Sequence, residues 1–498
     1  MRILLDTNII IPLEDSSKTL GESFSELVRL ANANNHQLMV HPASLEDIQR
    51  DGDAQRKAIS LSRIRKYPFL ENPPIPDASE LGRLELKQDD DNDRVDNQIL
   101  YSIYKDAANI LITEDRGLHR KAAQLGLDDR VYYIQQATES LRRLHTTVPV
   151  SLPNIEELYL HQLDLRNAFF DSLRADYRGF DEWFKGASRV GRKAWVHHNE
   201  AGLPAAIAIY KEEIAPQITT DGKGIPGKVL KLATFKVGEE IRGRKIGELL
   251  LKAAFRYATS NSIEHIYITM RPGEQVYLEG LCLDFGFYLF GQALVDGEID
   301  SVYIKDHPVN PPASDLTALE YHKRFYPHIK CGPDQSKFIV PIRPDYHVML
   351  FPDHQQQASL FTISSAGNAI KQAYLSHARV KDISAGDILL FYRSDDLKAI
   401  TSVGVVESAH QSQDADKILQ LVSKRTVYSY DEIKAMSQKQ TKVLLFRLAA
   451  HCKNDVSYDW LLSEGVVHGY IQTIRKITDE SFQKIIAKGG IHNCFYAH

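Results

Sequence analysis

The stretch "LKLATFKVGEEIRGRKIGELLLKAAFRYATSNSIEHIYITM" (Leu230–Met270) determines how the central part of the chain folds. It begins with an apolar strand, passes through a glycine-flanked basic turn into a helix, and ends with the strand "HIYITM". One face of the helix is apolar at helical spacing and is predicted to pack on a sheet; its positions are 246, 249, 250, 253, 254 and 257. Strand, helix and strand in this order predict an α/β arrangement.

The basic turn Arg242-Gly243-Arg244-Lys245-Ile246-Gly247 precedes or opens this helix. Backbone N–H groups and the helix dipole at a helix start favour an anion, and three basic side chains reinforce that preference. Gly247 lets a ligand approach the backbone. The turn therefore predicts a phosphate site, although a basic turn without further context is usually an ordinary part of the surface.

Residues 152–307 as a whole resemble the GNAT superfamily of acetyl-CoA-dependent acyltransferases. The family's pyrophosphate loop reads [Q/R]-x-x-G-x-[G/A]; Arg242 and Gly247 match its first and last positions, and Lys245 replaces the middle glycine. Three further stretches are similar to the family's first helices, early hairpin, and closing helix and strand: "FFDSLRADYRGFDEWF", "KAWVHHNEAGLPAAIAIYKEE" and "CLDFGFYLFG". The resemblance implies an α+β domain in which residues 242–247 bind acetyl-CoA. It also implies that a substrate amine attacks a thioester held where two strands separate.

The acid and the base of this reaction are open in the sequence. In many family members a tyrosine four residues before the glycine of "GF" acts as the general acid. This chain has Cys282 at that position, and Tyr277 and Tyr288 are alternative candidates for the general acid. A cysteine at such a position is more commonly a buried structural residue. The general base is expected among three glutamates, or in a water that they orient; these are Glu212, Glu213 and Glu239.

The first 145 residues alternate short apolar strands with helical stretches, the pattern of a parallel α/β sheet. Ligands bind such sheets beyond the carboxyl ends of the strands. Asp6 and Asp115 follow strands directly, and Asp47 and Asp96 lie between them in the chain. The four carboxylates are expected to converge at one edge of the sheet. Asp115, in the stretch "ILITEDRGL", also suits the N-cap of the helix that follows.

Several carboxylates brought together repel one another unless a divalent cation neutralises them, and hard oxygen ligands suit Mg²⁺ or Mn²⁺. The segments "LLDTN", "DIQRD", "DNQIL" and "LITEDRGL" resemble the PIN-domain family of metal-dependent ribonucleases. That resemblance implies that one or two metal ions activate water for phosphodiester hydrolysis. The ligands it implies are Asp6, Asp47, Asp96 and Asp115. The family usually has glutamate at the second position, where this chain has Asp47 beside Glu46.

Strands dominate residues 338–498, which predict a small β-barrel with peripheral helices. The stretch "ISAGDILLFYRSDDLKAITSVGVVES" resembles the PUA-like superfamily, particularly ASCH and EVE-type domains, which implies recognition of RNA or modified bases. Four side chains are expected to stack on bases or pair with phosphates: Tyr392, Arg393, Lys424 and Arg425. The alternative is that aromatic residues alternating along these strands form a core.

The three segments are joined into one chain of 498 residues with a net charge of −5. Residues 308–337 are expected to form a linker or a packing segment. The four cysteines lack zinc-site spacing, no apolar run is long enough to span a membrane, and "MRILLDTNIIIPL" is interpreted as a strand and not a signal peptide. These features favour a cytoplasmic protein.

Together these resemblances predict an acetyl-CoA-dependent N-acyltransferase fused to a Mg²⁺- or Mn²⁺-dependent ribonuclease. RNA or aminoacyl-tRNA fits best, because a charged tRNA offers both phosphodiesters and an amine. A toxin-like or defence role follows by family analogy, with an antitoxin or regulatory protein as partner and oligomerisation possible. One alternative is an N-acetyltransferase of a protein or small amine, with an inactive PIN-like binding module. Another is a regulatory scaffold with neither activity.

Overall fold

The chain forms two compact units, which are described separately. The first consists mainly of residues 1–148 and 411–443, and the second of residues 149–241, 245–410 and 444–498. The structure is a computed structural model, and it describes residues 1–10, 18–50, 52–145, 155–199, 201–238, 241, 245–273, 275–295, 297–354, 369–491 and 496–497.

A parallel sheet forms the centre of the first unit. Its strands are β1 Arg2–Leu5, β2 Gln37–Val40, β3 Ile110–Ile112 and β4 Val131–Tyr132. The helices between and after them are α1 Thr7–Ile10, α2 Lys18–Ala33, α3 Ser44–Arg50, α4 Ala54–Ile64, α5 Ala78–Arg83, α6 Asp91–Tyr104, α7 Arg116–Gln124 and α8 Ile134–His145. The strands lie in the order β2-β1-β3-β4, and neighbouring strands are parallel. The predicted parallel α/β sheet is confirmed.

Burial explains why these strands read as continuous apolar runs. Central strands of a parallel sheet are covered on both faces, so every position favours an aliphatic residue. Leu4 of β1 and Leu111 of β3 are fully buried against Ile99 of α6 and Leu118 of α7. Helix α7 begins immediately beyond β3, where Asp115 caps it by accepting a hydrogen bond from the backbone N–H of Leu118 at 2.9 Å. The carboxyl edge of the sheet is therefore where its polar side chains gather.

A seven-stranded sheet forms the first part of the second unit. Its strands are β5 Glu156–Tyr159, β6 Lys193–His198, β7 Pro204–Ile214, β8 Lys228–Val237, β9 His265–Met270, β10 Tyr288–Val295 and β11 Glu298–Asp306. Its helices are α9 Asp171–Asp176, α10 Phe180–Arg189, α11 Ile246–Ser260 and α12 Val276–Asp284. The order is β10-β11-β9-β8-β7-β6-β5; β8 and β9 are parallel and the other neighbouring pairs are antiparallel. This is the mixed α/β architecture expected for the region.

Each face of this sheet is covered by helices. The apolar side of α11, including Leu250 and Ala254, packs against Leu232 of β8 as its spacing predicted. Phe170 and Phe180 pack with the opposite face, as parts of the segment that contains α9 and α10. A ligand site in this part of the unit is therefore to be sought where the strands themselves separate.

The last part of the chain mixes strands and helices. Its elements are α13 Ala318–Phe325, β12 Ile329–Lys330, β13 Lys337–Ile342, α14 Pro344–Leu350, β14 Lys371–Ser376, β15 Ile388–Arg393, β16 Ala399–Ser412, α15 Ala415–Val422, α16 Tyr430–Met436, β17 Thr441–Ser457, α17 Tyr458–Ser463, β18 Arg475–Ile477, α18 Asp479–Gly489 and β19 Tyr496–Ala497. Helices α15 and α16 belong to the first unit. In the segment expected to be a linker, Tyr326 packs in the core beneath α11 and Ile329 in the core of the last part.

The predicted barrel is corrected by the sheet of this last part. Within the described residues, six strands lie in the order β14-β17-β16-β15-β13-β18, an open sheet with β14 and β18 at its ends. A barrel would need those two end strands to pair. Strand β18 has only three residues, and they pair with β13.

A buried ion network connects α12 with strands β14, β16 and β17 inside the second unit. Asp284, at the end of α12, accepts hydrogen bonds from Arg447 at 2.7 Å and from the Nζ of Lys371 at 2.8 Å. Arg447 is fully buried and also donates to Glu407 at 2.6 Å. The two parts of the second unit are thus joined by paired charges as well as by apolar contacts.

Candidate functional site

Strands β8 and β9 separate beside a cavity. Their parallel pairing joins Val229–Leu232 to His265–Ile268 and ends there, although β8 continues to Val237 and β9 to Met270. A cavity of about 280 Å³ lies at this point. Both strands contribute to its wall, through Leu232, Ala233, Thr234, Phe235, Ile268 and Thr269. This separation is the arrangement that the resemblance to acyltransferases implied.

A β-bulge in the ladder between β7 and β8 accounts for the separation. Leu232 pairs with Tyr210 and Thr234 pairs with the adjacent Ile209, so Ala233 is the extra residue. A bulge bends its strand and increases the local twist. Here the bend begins at the residue after the last one that pairs with β9. Beyond Leu232, the backbone N–H and C=O groups of β8 that no longer pair with β9 are therefore available to bind an extended ligand in the cavity.

Aromatic and basic side chains complete the cavity wall. Tyr177, Phe180 and Trp183 come from the region of α9 and α10. The Tyr177 hydroxyl accepts a hydrogen bond from the Nε2 of Gln275 at 3.3 Å, and the guanidinium of Arg271 lies 4.9 Å from the centre of its ring. The basic residues are Arg178, Arg192, Lys211 and Lys231.

No motif in the sequence pointed to Tyr177, Arg192 or Lys231. Lys211 and Lys231 are 20 positions apart in the chain and meet because they are direct partners in the ladder of β7 and β8. The sequence signal for this pair was weak, because Lys211 is followed by Glu212 and Glu213 in β7, and β8 also contains Lys228 and Lys236.

The start of α11 lies beyond the end of β8. Arg242, Gly243 and Arg244 lie outside the described residues, so their phosphate-binding role stays a prediction. Lys245 has a left-handed backbone (φ 57°), and its Nζ donates to the carbonyl of Lys371 at 3.3 Å. Ile246 is buried, and Gly247 allows close packing, because a Cβ there would lie 2.9 Å from the Cδ2 of Leu281. The need for glycine is thus explained by a helix contact instead of a ligand contact.

The proposed general acids lie away from the cavity wall. Cys282 is 0 % exposed in the apolar core, and burial raises the pKa of its thiol. Tyr277 lies in α12, whose contribution to the wall is Leu278. The Tyr288 hydroxyl donates to Asp306 at 3.2 Å. A buried, protonated thiol in a core corrects the expectation for Cys282, because substrate does not reach it.

Glu213 lies next to the cavity through its partners. Burial acts to raise its pKa, but its bonds to Lys211 and to the Tyr267 hydroxyl outweigh that effect and lower it. Glu212 is held by the Tyr257 hydroxyl at 2.8 Å and by Lys228. Glu239 lies outside the described residues. Glu213 therefore is the glutamate best placed to orient a group or a water at the cavity.

Three of the four predicted carboxylates lie close enough in the first unit for their charges to interact, namely Asp6, Asp96 and Asp115. Asp6 is 5 % exposed and accepts hydrogen bonds from the Thr7 backbone at 2.7 Å and from the Thr113 hydroxyl at 2.6 Å. Burial, with a contribution from Asp115, raises the pKa of Asp6 to about 6. Burial raises the pKa of Asp96 to about 7, and the charges of Asp6 and Asp115 add to that rise.

The fourth carboxylate lies apart. Asp47 forms an ion pair with Arg50, one turn further along α3, and its other charged neighbours are Glu46 and Arg94. This corrects the expectation that all four aspartates converge. The reason is local: an arginine at i+3 on the same helix holds the side chain where it is.

A lysine pairs with one of the predicted metal ligands. The Nζ of Lys121 lies 2.8 Å from Asp93 and 3.5 Å from Asp96. Across the described ranges, no three or more His, Cys, Asp or Glu side chains are grouped so as to hold a metal ion. The carboxylates therefore have the chemistry that a hard divalent cation prefers, and in this arrangement Lys121 pairs with Asp96.

The two strand residues expected to contact RNA are used internally. Tyr392 is 5 % exposed and belongs to the core of the last part of the chain. Arg393 is 7 % exposed, and its Nε donates to Asp396 at 2.9 Å. Tyr392 and Arg393 of β15 therefore serve internal packing and pairing, in line with the alternative interpretation that residues along these strands form a core.

The two basic residues expected to contact RNA bind strand β4 and the loop before it instead. Lys424 donates to the carbonyl of Val131 at 2.8 Å, and its Nζ lies 4.4 Å from the centre of the Tyr132 ring. Arg425 is buried and pairs with Asp129 at 2.6 Å. RNA contact by these residues stays a prediction that this arrangement does not favour.

No protein-family model matches the chain, and no curated protein matches its sequence. Among solved structures, the ASCH protein of Zymomonas mobilis is similar at 11 % identity over 31 % of this chain and 96 % of its own, with a TM-score of 0.24. The IAA acetyltransferase of Bacillus cereus is similar at 14 % identity over 31 % of this chain and 98 % of its own (TM-score 0.23). Arabidopsis thaliana NAA60 shows 14 % identity over 31 % and 98 % (TM-score 0.24). The structural neighbours thus have ASCH and acetyltransferase folds.

In the described part of the chain, helices are too short or too polar to cross a membrane.

Proposed function

We propose that the second unit is an acetyl-CoA-dependent N-acyltransferase. The observation that carries the proposal is the separation of the parallel strands β8 and β9 beside the cavity. Backbone N–H and C=O groups that leave a ladder need new partners, and an extended acyl-pantetheine arm offers them. The N-terminus of the 15-residue helix α11, immediately after residues 242–245, favours a pyrophosphate. These features fit acetyl-CoA.

Bound acetyl-CoA supplies an activated thioester carbonyl. The β8 backbone beyond Leu232 orients that group, and Phe180 and Trp183 exclude water from it. Burial raises the pKa of Tyr177, so its hydroxyl keeps its proton at neutral pH and can donate it to the departing thiolate. Glu213, or a water that it orients, is the candidate to accept the proton from the attacking amine.

A leucine at position 233 tests this site directly. Ala233 lines the cavity at the bulge, so Ala233→Leu is expected to weaken acetyl-CoA binding by about 10- to 100-fold, equivalent to an overpacking cost of roughly 1–3 kcal/mol. Isothermal calorimetry measures binding, and transfer from radiolabelled acetyl-CoA to amines measures activity. Ala201→Leu, on the exposed turn before β7, is the matched control and should change neither quantity. Unchanged binding in Ala233→Leu would place the ligand elsewhere.

We propose, as a second function, that the first unit is a Mg²⁺- or Mn²⁺-dependent ribonuclease, as its resemblance to PIN domains implies. Support comes from the repulsion among the charges of Asp6, Asp96 and Asp115, which a divalent cation would relieve. Asp47, remote from these three, takes no part in this version of the site. Lys121 must move aside or share the site with the cation.

Labelled RNA incubated with Mn²⁺ tests the second function. Cleavage is expected with the wild-type protein and is expected to be abolished in Asp6→Asn, because Asp6 is the most buried of the three carboxylates. Asp53→Asn, an exposed aspartate of the same unit, should cleave like wild type. Intact RNA with both Mn²⁺ and Mg²⁺, or equal cleavage in Asp6→Asn, would contradict the ribonuclease.

RNA or aminoacyl-tRNA remains our proposed substrate, in a toxin-like or defence role with an antitoxin or regulatory partner. A cytoplasmic location is supported by Cys282, Cys331 and Cys452, which are free thiols. The principal alternative is N-acetylation of a protein or small amine, with the first unit as a binding module. Intact RNA combined with acetylated protein or small amine would favour that alternative.

A further inference from the structure

The described side chains that line the cavity between β8 and β9 carry one sign of charge. Four of them are basic, namely Arg178, Arg192, Lys211 and Lys231, and none of the described lining residues is Asp or Glu. Such a wall is unexpected for an enzyme whose acceptor is a positively charged amine, because an ammonium group would be repelled.

Only part of this positive charge is neutralised by nearby carboxylates. Glu213 pairs with Lys211 and also attracts Arg192 and Lys231. Asp300, which is 1 % exposed, attracts Lys231 as well. Among the residues that the structure describes, two carboxylates thus interact with three half-buried cations, and Arg178 is exposed at the rim. In a cavity of low dielectric, an additional anion would be favoured.

The position of these cations separates them from the proposed phosphate site. Lys231 precedes Val237, the last residue of β8, by six positions, which corresponds to roughly 20 Å along a strand. The chain reaches the start of α11 only beyond Val237. The cations therefore lie at the opposite end of β8 from the turn proposed to bind the pyrophosphate, on the side left for the acceptor.

We infer that the acyl acceptor is an amine that also carries an anionic group, a carboxylate or a phosphate. This inference rests on the proposed acyltransferase. Arg192, Lys211 and Lys231 would pair with the anionic group. The same positive charges favour the neutral form of the nearby amine, which is the form that attacks a thioester. Tyr177 and Trp183 supply an apolar wall for the part of the acceptor between its two polar ends. Aminoacyl-tRNA, with its phosphates, belongs to this class.

Matched acceptors test the inference on the wild-type protein. Phenylalanine is compared with phenylalaninamide, and O-phosphoethanolamine with ethanolamine, at saturating acetyl-CoA. Each pair differs in its anionic group, and comparing the pairs distinguishes carboxylate from phosphate. The anionic member of at least one pair is expected to have a kcat/KM about tenfold higher or more. Equal values, or a preference for both neutral members, would overturn the inference.

A double variant connects the preference with the named residues. Lys211→Met with Lys231→Met is expected to remove the preference for the anionic acceptor, measured as the ratio of kcat/KM values within each pair of acceptors. Lys223→Met, an exposed lysine in the loop before β8, is the control and should keep the preference. A preference that persists in the double variant would overturn the inference. If the wild-type protein does not bind acetyl-CoA, the proposed acyltransferase is wrong and the inference falls with it. If it binds acetyl-CoA but shows no preference for anionic acceptors, the inference alone is wrong.

Discussion

Replacement of Arg447 by methionine is expected to lower the free energy of unfolding of the second unit by about 3–5 kcal/mol. Arg447 is fully buried and donates to both Glu407 and Asp284. Burial acts to raise the pKa of Asp284, but Lys371 and Arg447 outweigh it and hold that pKa well below its usual range. Without the guanidinium, two carboxylates with restricted access to water lose their common partner. Methionine replaces part of the apolar volume but none of the charge.

The loss can be measured on this unit alone. The three tryptophans of the chain are Trp183, Trp195 and Trp460, and all lie in the second unit, so their fluorescence during urea denaturation follows its unfolding. Arg166→Met is the matched control, because the side chain of Arg166 is 90 % exposed and its solvent-screened pair with Asp164 contributes little to stability. A denaturation midpoint for Arg447→Met that equals that of the control would show that the buried network contributes little.

The same network shows how far a sequence can be used to predict a fold. Leu4 and Leu111 lie in continuous apolar runs, so the parallel sheet of the first unit could be predicted from local pattern. Arg447 lies within the equally apolar stretch "KVLLFRLAA", and its partners are 40 and 163 positions away. A pattern identifies the strand but does not identify the partner of a charge inside it.

The candidate sites show the same limit. Asp6 and Asp115 could be predicted to converge because each directly follows a strand of one parallel sheet. Asp47 satisfies a similar rule, but Arg50 on the same helix holds it away. Lys211 and Lys231 become a pair only through the register of β7 and β8, which a bulge at Ala233 shifts beyond them. Local chemistry therefore predicts sheet edges well and predicts ladder partners poorly.

Acidification from pH 6.5 to pH 4 is expected to destabilise the second unit steeply. Four of its histidines are buried and uncharged, and burial is the main cause that lowers their pKa. The pKa is lowered to about 3 for His307, His322 and His347 and to about 4 for His328. An unfolded histidine binds a proton below pH 6.5. The unfolded state therefore binds more protons throughout this interval, so stability falls as the pH falls.

The size of the effect follows from proton linkage. Each histidine contributes up to about 1.4 kcal/mol for each pH unit below its unfolded pKa, so the four together contribute up to roughly 5 kcal/mol for each unit. That loss exceeds the whole stability of an ordinary domain within two or three units. Tryptophan fluorescence is therefore expected to report unfolding in the absence of urea before the pH reaches 4.

A substitution of His347 tests the contribution of one histidine to the pH dependence of stability. His347→Gln keeps a polar group near the hydroxyl of Thr401, which the histidine contacts at 2.7 Å, but removes one titrating site. The slope of stability against pH between 6 and 5 should therefore fall by about 1 kcal/mol for each pH unit, whatever the change in stability at pH 7.5. Ala201→Leu, at an exposed position, removes no titrating group and should leave the slope as in wild type. Equal slopes in the wild type and in His347→Gln would mean that His347 is already protonated in the folded protein, and the burial of an uncharged imidazole at this position would then be wrong.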